Sequence, residues 1–169
     1  MRVLGIDPGS ETLGWGVVEG AGAKYKLVDF GVVKSSPRAA FSKRILKAYE
    51  AVAAVIEKFQ PDAVSIEEAF YSVNAGVAIK LGQVRGAILL LAEQNDLEIA
   101  EYSPRLVKKT VVGYGNAEKR QVQEMVRLLL GLKTVPEPHD AADALAIAIC
   151  HFHHSGLNAK LKEQIRKTR

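Results

Sequence analysis

The order of short apolar segments along this 169-residue chain restricts its fold more than any other feature. Three such segments come first, at 3–6, 14–18 and 24–33, and glycine lies in both of the turns between them. This arrangement predicts three antiparallel strands in a meander. Apolar residues then recur at three- and four-residue spacings over 41–59, which predicts a helix.

Strands and helices alternate after this helix. Strands are predicted at 63–66 and 98–102, and further helices at 75–94, 117–130 and 140–154. Because a helical crossover joins parallel strands, the last two strands should be parallel. We therefore predict an α/β fold. Its mixed sheet, a three-strand antiparallel meander plus two parallel strands, should carry helices on both faces.

Charge is distributed unevenly along the chain, whose net charge is +4. Residues 155–169 contain five basic side chains and one acidic one, so residues 1–154 are neutral in total. We predict one folded domain over 1–154 and a basic, flexible tail over 155–169. Any binding of nucleic acid must therefore depend on local clusters of basic residues rather than on the total charge.

Cysteine content and apolar run length indicate the cellular setting. The single cysteine, Cys150, has no disulfide partner and lies among apolar residues, so we predict that it is a buried apolar residue. The uninterrupted apolar runs at 87–92 and 144–150 are far shorter than the roughly 20 residues of a membrane span. The N-terminus lacks the pattern of a secretory signal. These features predict a cytoplasmic protein without membrane association.

Carboxylates stand where predicted strands end. Asp7 ends the first strand in "LGIDPGS", and Glu67 and Glu68 end the fourth. Asp140 and Asp143 are three residues apart at a helix start, so both can point the same way. In open α/β sheets, ligands bind at the carboxyl ends of the strands. If these acids meet there, Mg²⁺ or Mn²⁺ is the expected ligand, because hard cations take oxygen donors.

Each acidic position also has a simpler interpretation. Asp7 precedes a proline and a glycine, which is ordinary turn chemistry. Glu67 and Glu68 are equally consistent with a solvated strand end. Asp140 is consistent with a helix N-cap, with Asp143 favouring the helix dipole from the first turn. Three acidic positions at one edge of a small sheet are harder to explain as independent coincidences.

The opening segment "GIDPGSETLGWGV" also resembles the phosphate-binding hairpin of the actin, heat-shock ATPase and sugar-kinase superfamily. In that superfamily, two such domains flank a nucleotide cleft. A chain of 169 residues is too short for two such domains, and it has one hairpin of this kind without a second glycine-rich phosphate loop. Both features argue against that interpretation.

Four blocks of the chain together resemble the bacterial Holliday junction resolvase family RuvC: "LGIDPGS", "SIEEAFYSVNAGVAIKLGQVRGAILL", "EYSPRLVKKTVVGYGNAEKRQVQEMV" and "HDAADALAIAICH". The resemblance implies a ribonuclease H-like fold, a homodimer and association with the RuvA–RuvB branch-migration complex. It also implies Mg²⁺-dependent endonucleolytic cutting of four-way DNA junctions during recombination and repair.

Carried onto this sequence, the acidic quartet of the family falls on Asp7, Glu67, Asp140 and Asp143. Glu68 lies outside the pattern. We hypothesise that Asp7 bridges two metal ions, with Glu67 on one side and Asp140 and Asp143 on the other. Two Mg²⁺ ions, or Mn²⁺ as a substitute, can activate a water and stabilise the departing 3′ oxygen. The expected products carry a 5′ phosphate and a 3′ hydroxyl.

His139 leaves one assignment open, because some relatives use histidine at the position that aligns with Asp140. We expect Asp140 to be the ligand, since it keeps the three-residue spacing to Asp143. His139 then stands as a candidate for an outer position or for proton handling.

Basic and aromatic residues supply candidate DNA contacts. In the resemblance, Phe70 matches an aromatic residue near the junction bases, and Lys108 and Lys119 match basic residues near the cut strand. Tyr71 follows Phe70. The two aromatic residues could stack on bases opened at the crossover, or they could pack in the core of the protein. Basic residues around the 113–115 loop are expected to contact DNA phosphates. A solvated helix surface would have the same composition. The residues are Arg105, Lys108, Lys109, Lys119 and Arg120.

The helix at 75–94 is a candidate dimer interface. Gly82 and Gly86 permit close approach on one helical face, and the apolar content is high. Packing on the chain's own sheet explains the same pattern. A dimer with twofold symmetry would supply two identical sites for paired nicks.

Three function classes remain after the sequence is considered. The favoured one is a junction-resolving nuclease. The second is a nuclease or nucleotide phosphatase of the same fold with a different substrate, and the third is a noncatalytic DNA-binding module.

Overall fold

The computed structural model describes residues 1–21, 24–68 and 74–167, with side chains described as far as Ser155. The strands are β1 (Arg2–Asp7), β2 (Thr12–Ala21), β3 (Lys24–Lys34), β4 (Ala63–Glu67) and β5 (Glu98–Tyr102). The helices are α1 (Phe41–Phe59), α2 (Ala75–Gln94), α3 (Pro104–Val112), α4 (Lys119–Leu129) and α5 (His139–Lys167).

The five strands form one sheet in the order β3-β2-β1-β4-β5. β1, β2 and β3 pair in antiparallel fashion, while β4 is parallel to both β1 and β5. The predicted meander with two added parallel strands is therefore confirmed.

Two apolar cores lie on opposite faces of the sheet. Leu4 and Ile6 of β1 belong to the core under α1 and α2, whereas Val3 faces the core under α3, α4 and α5. This division follows from the alternation of side chains along a strand. The prediction of helices on both faces is confirmed.

Helix α5 lies directly against the sheet. An added Cβ on Gly5 would stand 2.0 Å from the carbonyl oxygen of Ala144, and one on Gly14 would stand 2.0 Å from that of Asp140. Ser65 of β4 donates a hydrogen bond to the carbonyl of Ile147 at 2.8 Å. Residues without bulky side chains on the sheet thus let the helix backbone approach closely, and this places its first turn at one end of β1 and β2.

The structure differs from the prediction in its helices. Helix α3 was not predicted, although Pro104 starts it and the Oγ of Ser103 caps it by accepting a hydrogen bond from the Leu106 amide. Helix α5 begins at His139 and continues to Lys167, beyond the predicted end at 154. The division into a domain over 1–154 and a flexible tail stays a prediction. Cys150 is fully buried, as predicted.

Helix α2 combines length with high apolar content. By length and composition alone, Ala75–Gln94 is sufficient to cross a membrane, with a mean hydropathy of 1.5 in its most apolar window. Lys80 and Arg85 interrupt the apolar residues of this helix, so the length of uninterrupted apolar runs does not indicate it. A single helix of this kind is weak evidence for a span, because a core or interface helix has the same composition.

Candidate active site

Two predicted acids lie side by side at the carboxyl edge of the sheet. Asp7 is the last residue of β1 and Glu67 the last of β4. The two strands are parallel and in register, with Ile6 opposite Ile66. Their ends therefore coincide, as the sequence predicts.

The first turn of α5 adds two further carboxylates. Gly14 pairs with Asp7 across β1 and β2, and its Cα lies against the main chain of Asp140. Asp143 is the one residue between 141 and 150 that is not buried. The helix begins at His139, so Asp140 lies inside its first turn rather than at the N-cap, and the capping interpretation is wrong.

The four carboxylates share one electrostatic environment. Burial, together with the negative charges of Glu67, Asp143 and Asp140, raises the pKa of the Asp7 carboxyl to about 7, and Lys119 opposes this rise. Carboxylates raise one another's pKa only when they are near each other. The sequence prediction that these residues meet is supported by this coupling.

Two lysines face the acids. The ammonium of Lys119 lies 2.7 Å from Oδ2 of Asp143. Partial burial lowers the pKa of Lys119, but its hydrogen bond to Asp143 and the surrounding carboxylates outweigh this and raise the pKa overall. Burial and the charge of Asp143 raise the pKa of Glu67, whereas Lys108 and Lys119 lower it. Cations therefore compensate part of the negative charge at this edge.

A cleft of about 140 Å³ opens between β4, α3, α4 and α5. Its polar lining consists of two acids and two lysines that the sequence predicted as site residues, Glu67, Asp143, Lys108 and Lys119. Val107, Val122 and Ile147 supply apolar walls. A concave site with a few convergent charged groups is typical of an enzyme active site.

The oxygen donors of the acidic residues fit a hard divalent cation, although the described side chains do not form a complete set of metal ligands. Within the described side chains, no group of three or more histidine, cysteine, aspartate or glutamate residues is close enough to hold a metal ion as it stands. Four neighbouring carboxylates supply the oxygen donors that Mg²⁺ prefers. Burial and the charges of the neighbouring acids raise the pKa of Asp7, and a bound cation would relieve the repulsion among these carboxylates. The ligand assignment stays a prediction.

The other predicted DNA-binding residues lie around the cleft or outside the described residues. Arg105 and Lys109 are exposed on α3, and neither lines the cleft. The side chain of Arg105 packs against Gly115. Phe70 and Tyr71 lie outside the described residues, so their predicted contacts with junction bases stay predictions.

His139 has a partner that sequence reasoning missed. Its Nδ1 lies 2.6 Å from Nε2 of Gln123, a buried residue of α4. This contact joins the start of α5 to α4 next to Asp140. It agrees with a position for His139 outside the predicted metal ligands. A buried glutamine in an otherwise apolar helical stripe is the signal that could have indicated it.

Three comparisons with known proteins agree. Residues 3–151 match the family model "Crossover junction endodeoxyribonuclease RuvC". The relative of that name from Chloroflexus aggregans is 52% identical over 153 residues, which cover 90% of this chain and 93% of the relative.

Solved structures give the same result. The structure of T. thermophilus RuvC in complex with a Holliday junction substrate has a TM-score of 0.89 at 40% identity, covering 94% of this chain and 96% of that one. A second structure of RuvC from Thermus thermophilus has a TM-score of 0.85 at 41% identity, covering 94% and 97%. The ribonuclease H-like mixed sheet is thereby confirmed. The chain belongs to the crossover junction endodeoxyribonuclease RuvC family of nucleases.

Proposed function

We propose that the chain cuts four-way DNA junctions by paired, symmetric, metal-assisted nicks that leave 5′ phosphate and 3′ hydroxyl ends. The observation that carries this proposal is the cleft in which Glu67 and Asp143 meet Lys108 and Lys119 at the carboxyl edge of the sheet. The junction bound to the similar T. thermophilus RuvC supports the choice of substrate.

The carboxylates and the lysines would perform different parts of this reaction. Asp7, Glu67, Asp140 and Asp143 would hold the metal. Two Mg²⁺ ions, or Mn²⁺ as a substitute, would supply an activated water and charge stabilisation for the departing 3′ oxygen.

Lys108 and Lys119 would position the phosphate of the cut strand, because an ammonium neutralises phosphate charge in the approach to the site. Arg105 and Lys109, exposed beside the cleft, would contact flanking phosphates. Phe70 and Tyr71 would stack on opened bases.

The proposal is tested by cleavage of a synthetic mobile junction with Mg²⁺, beside linear duplex and single strand of the same sequence. We expect cutting of the junction alone. Comparable cutting of the duplex or the single strand would instead favour a ribonuclease H-like nuclease with another substrate. Junction binding without any cutting would favour a noncatalytic module.

Lys119 should compete with the metal for Asp143, because its ammonium contacts a carboxylate oxygen of that residue. Lys119→Met is expected to increase Mn²⁺ affinity several-fold. It should also weaken junction binding and reduce the slope of log binding constant against log salt concentration by about one. Calorimetry and salt titration measure the two effects. The control is Lys58→Met, which breaks an ion pair with Asp29 instead. Unchanged Mn²⁺ affinity in Lys119→Met would contradict this prediction.

Helix α2 is the proposed interface with a second copy of the chain. Ile79 and Leu90 are 64% and 58% exposed, and with Gly82 and Gly86 they form one apolar stripe at helical spacing. Nothing lies within 4 Å of a Cβ added at either glycine. The buried residues Val84, Ile88 and Leu91 occupy the opposite side. Packing on the chain's own sheet explains that side and leaves the stripe for a partner.

A charge in this stripe should dissociate the dimer. We expect Leu90→Glu to shift the sedimenting mass from twice 18.4 kDa towards 18.4 kDa. Leu128→Glu, on α4, is the matched control because Leu128 is equally exposed at 58%, and it should remain dimeric. A dimeric Leu90→Glu variant, or a monomeric parent at micromolar concentration, would rule out the α2 interface. Association with RuvA–RuvB and the cytoplasmic location stay predictions.

A further inference from the structure

Arg85 connects helix α2 to the ends of two strands at the active-site edge. Its Nε donates a hydrogen bond to the main-chain oxygen of Glu67 at 3.2 Å. Its Nη2 forms an ion pair with the carboxylate of Glu101 on β5. The side chain of Arg85 is 15% exposed, whereas that of Glu101 is 44% exposed. A rigid fork of donors that is largely shielded from water holds its acceptors in a defined geometry.

The contact lies where the position of the main chain matters for the site. Glu67 is the last residue of β4, and its carboxyl group lines the cleft. Within the described residues, sheet pairing continues after Glu67 through a hydrogen bond from the amide of Glu68 to the carbonyl of Tyr102 at 3.0 Å. A donor that fixes the Glu67 carbonyl therefore restricts the peptide from which the carboxylate is directed.

Arg85 acts on the main chain rather than on the carboxyl group. Its contact with Glu67 is to the main-chain oxygen of that residue. The charge of Arg85 is instead balanced by Glu101. Arg85 can therefore hold Glu67 in place without competing for the acidic cluster.

Arg85 also immediately precedes Gly86, which belongs to the apolar stripe of α2. We propose that Arg85 is a positioning residue that fixes the main chain of Glu67 to α2, so that the dimer helix and the cleavage site move as one unit. This inference rests on the proposed function. It adds a residue whose role is to transmit the position of α2 to one carboxylate of the site.

The test compares Arg85→Met and Arg85→Lys with two controls. Glu101→Gln leaves both the Arg85 donor and the Glu67 carbonyl acceptor in place and removes only the charge of the ion-pair partner. Arg127→Met removes a partly exposed arginine that pairs with Glu124 on α4. The first readout is hydrogen exchange of the Glu68 amide, which needs neither metal nor DNA. The others are Mn²⁺ affinity, and kcat and KM for junction cleavage.

We expect Arg85→Met to accelerate exchange of the Glu68 amide at least tenfold. Its kcat and Mn²⁺ affinity should fall by about 10- to 100-fold, as is usual for residues that orient metal ligands, with KM little changed. Arg85→Lys should show smaller changes in the exchange rate, kcat and Mn²⁺ affinity than Arg85→Met. The two controls should have values close to those of the parent chain.

Two results would overturn the inference: an unchanged exchange rate at Glu68 in Arg85→Met, or a loss of kcat no larger than in Arg127→Met. If the parent chain does not cut junctions, the proposed function fails, and the exchange measurement still decides whether Arg85 holds Glu67. If Arg85→Met does not fold, Arg85→Lys decides, because a lysine that leaves exchange and kcat at parent levels would also contradict the role.

Discussion

We expect Asp7→Asn to abolish junction cleavage while the chain stays folded and still binds the junction. Asp7 lies at the centre of the charge cluster, where burial and three neighbouring carboxylates raise its pKa to about 7. Removal of one preorganised electrostatic contact to a transition state costs about 10²–10³ in rate, and loss of the carboxylate proposed to bridge the metals should cost at least as much. Single-turnover cleavage of a labelled junction measures the effect.

The fold should tolerate this substitution because asparagine has the same shape and relieves the repulsion. We expect the melting temperature of Asp7→Asn to equal or exceed that of the parent. Glu68→Gln is the matched control, since Glu68 is the neighbouring exposed acid outside the acidic quartet, and it should cut normally. A fully active Asp7→Asn variant would refute the assignment of Asp7.

Gly14→Ala should inactivate the site by displacing helix α5. The new Cβ would stand 2.0 Å from the carbonyl oxygen of Asp140 and 2.4 Å from its carbon, both main-chain atoms. The first turn of α5 must move away, and Asp140 and Asp143 move with it relative to Asp7. A misplacement of about 1 Å can cost 10²-fold in rate, so we expect a loss of that order in junction cleavage.

Overpacking alone also lowers stability, typically by about 1–3 kcal/mol, so a second glycine on the same strand serves as the control. Gly20 lies at the other end of β2, and its added Cβ would stand 2.3 Å from the carbonyl oxygen of Lys24. Gly20→Ala should lose comparable stability in thermal unfolding and keep its cleavage rate. Equal cleavage rates in Gly14→Ala and Gly20→Ala would show that the activity of the site does not depend on the position of α5.

The sheet and the acidic edge could be predicted because both depend on local patterns. Short apolar segments separated by turns give the meander, and parallel strands necessarily end at the same edge. Asp7 and Glu67 could therefore be placed together from their positions at strand ends. The three-residue spacing of Asp140 and Asp143 gave their common direction but not the contact that holds α5 on the sheet.

Contacts between distant segments could not be predicted. The ion pair of Lys119 with Asp143 depends on how α4 packs against α5, and the hydrogen bond of Arg85 to Glu67 depends on how α2 packs against the sheet. Side-chain type alone does not give that packing. Helix α3 was missed for another reason, because its short length gives little periodicity, although Ser103 and Pro104 carry a helix-start signal.

The central claim is that the chain makes two symmetric cuts in a four-way junction, and mapping both cuts on a mobile, end-labelled junction with Mg²⁺ tests it most directly. We expect nicks at equivalent positions in two strands of like polarity, with 5′ phosphate ends that ligase seals into intact duplexes. A junction that is bound but remains uncut with Mg²⁺ or Mn²⁺, or that is cut at unrelated positions with ends that cannot be ligated, would contradict it.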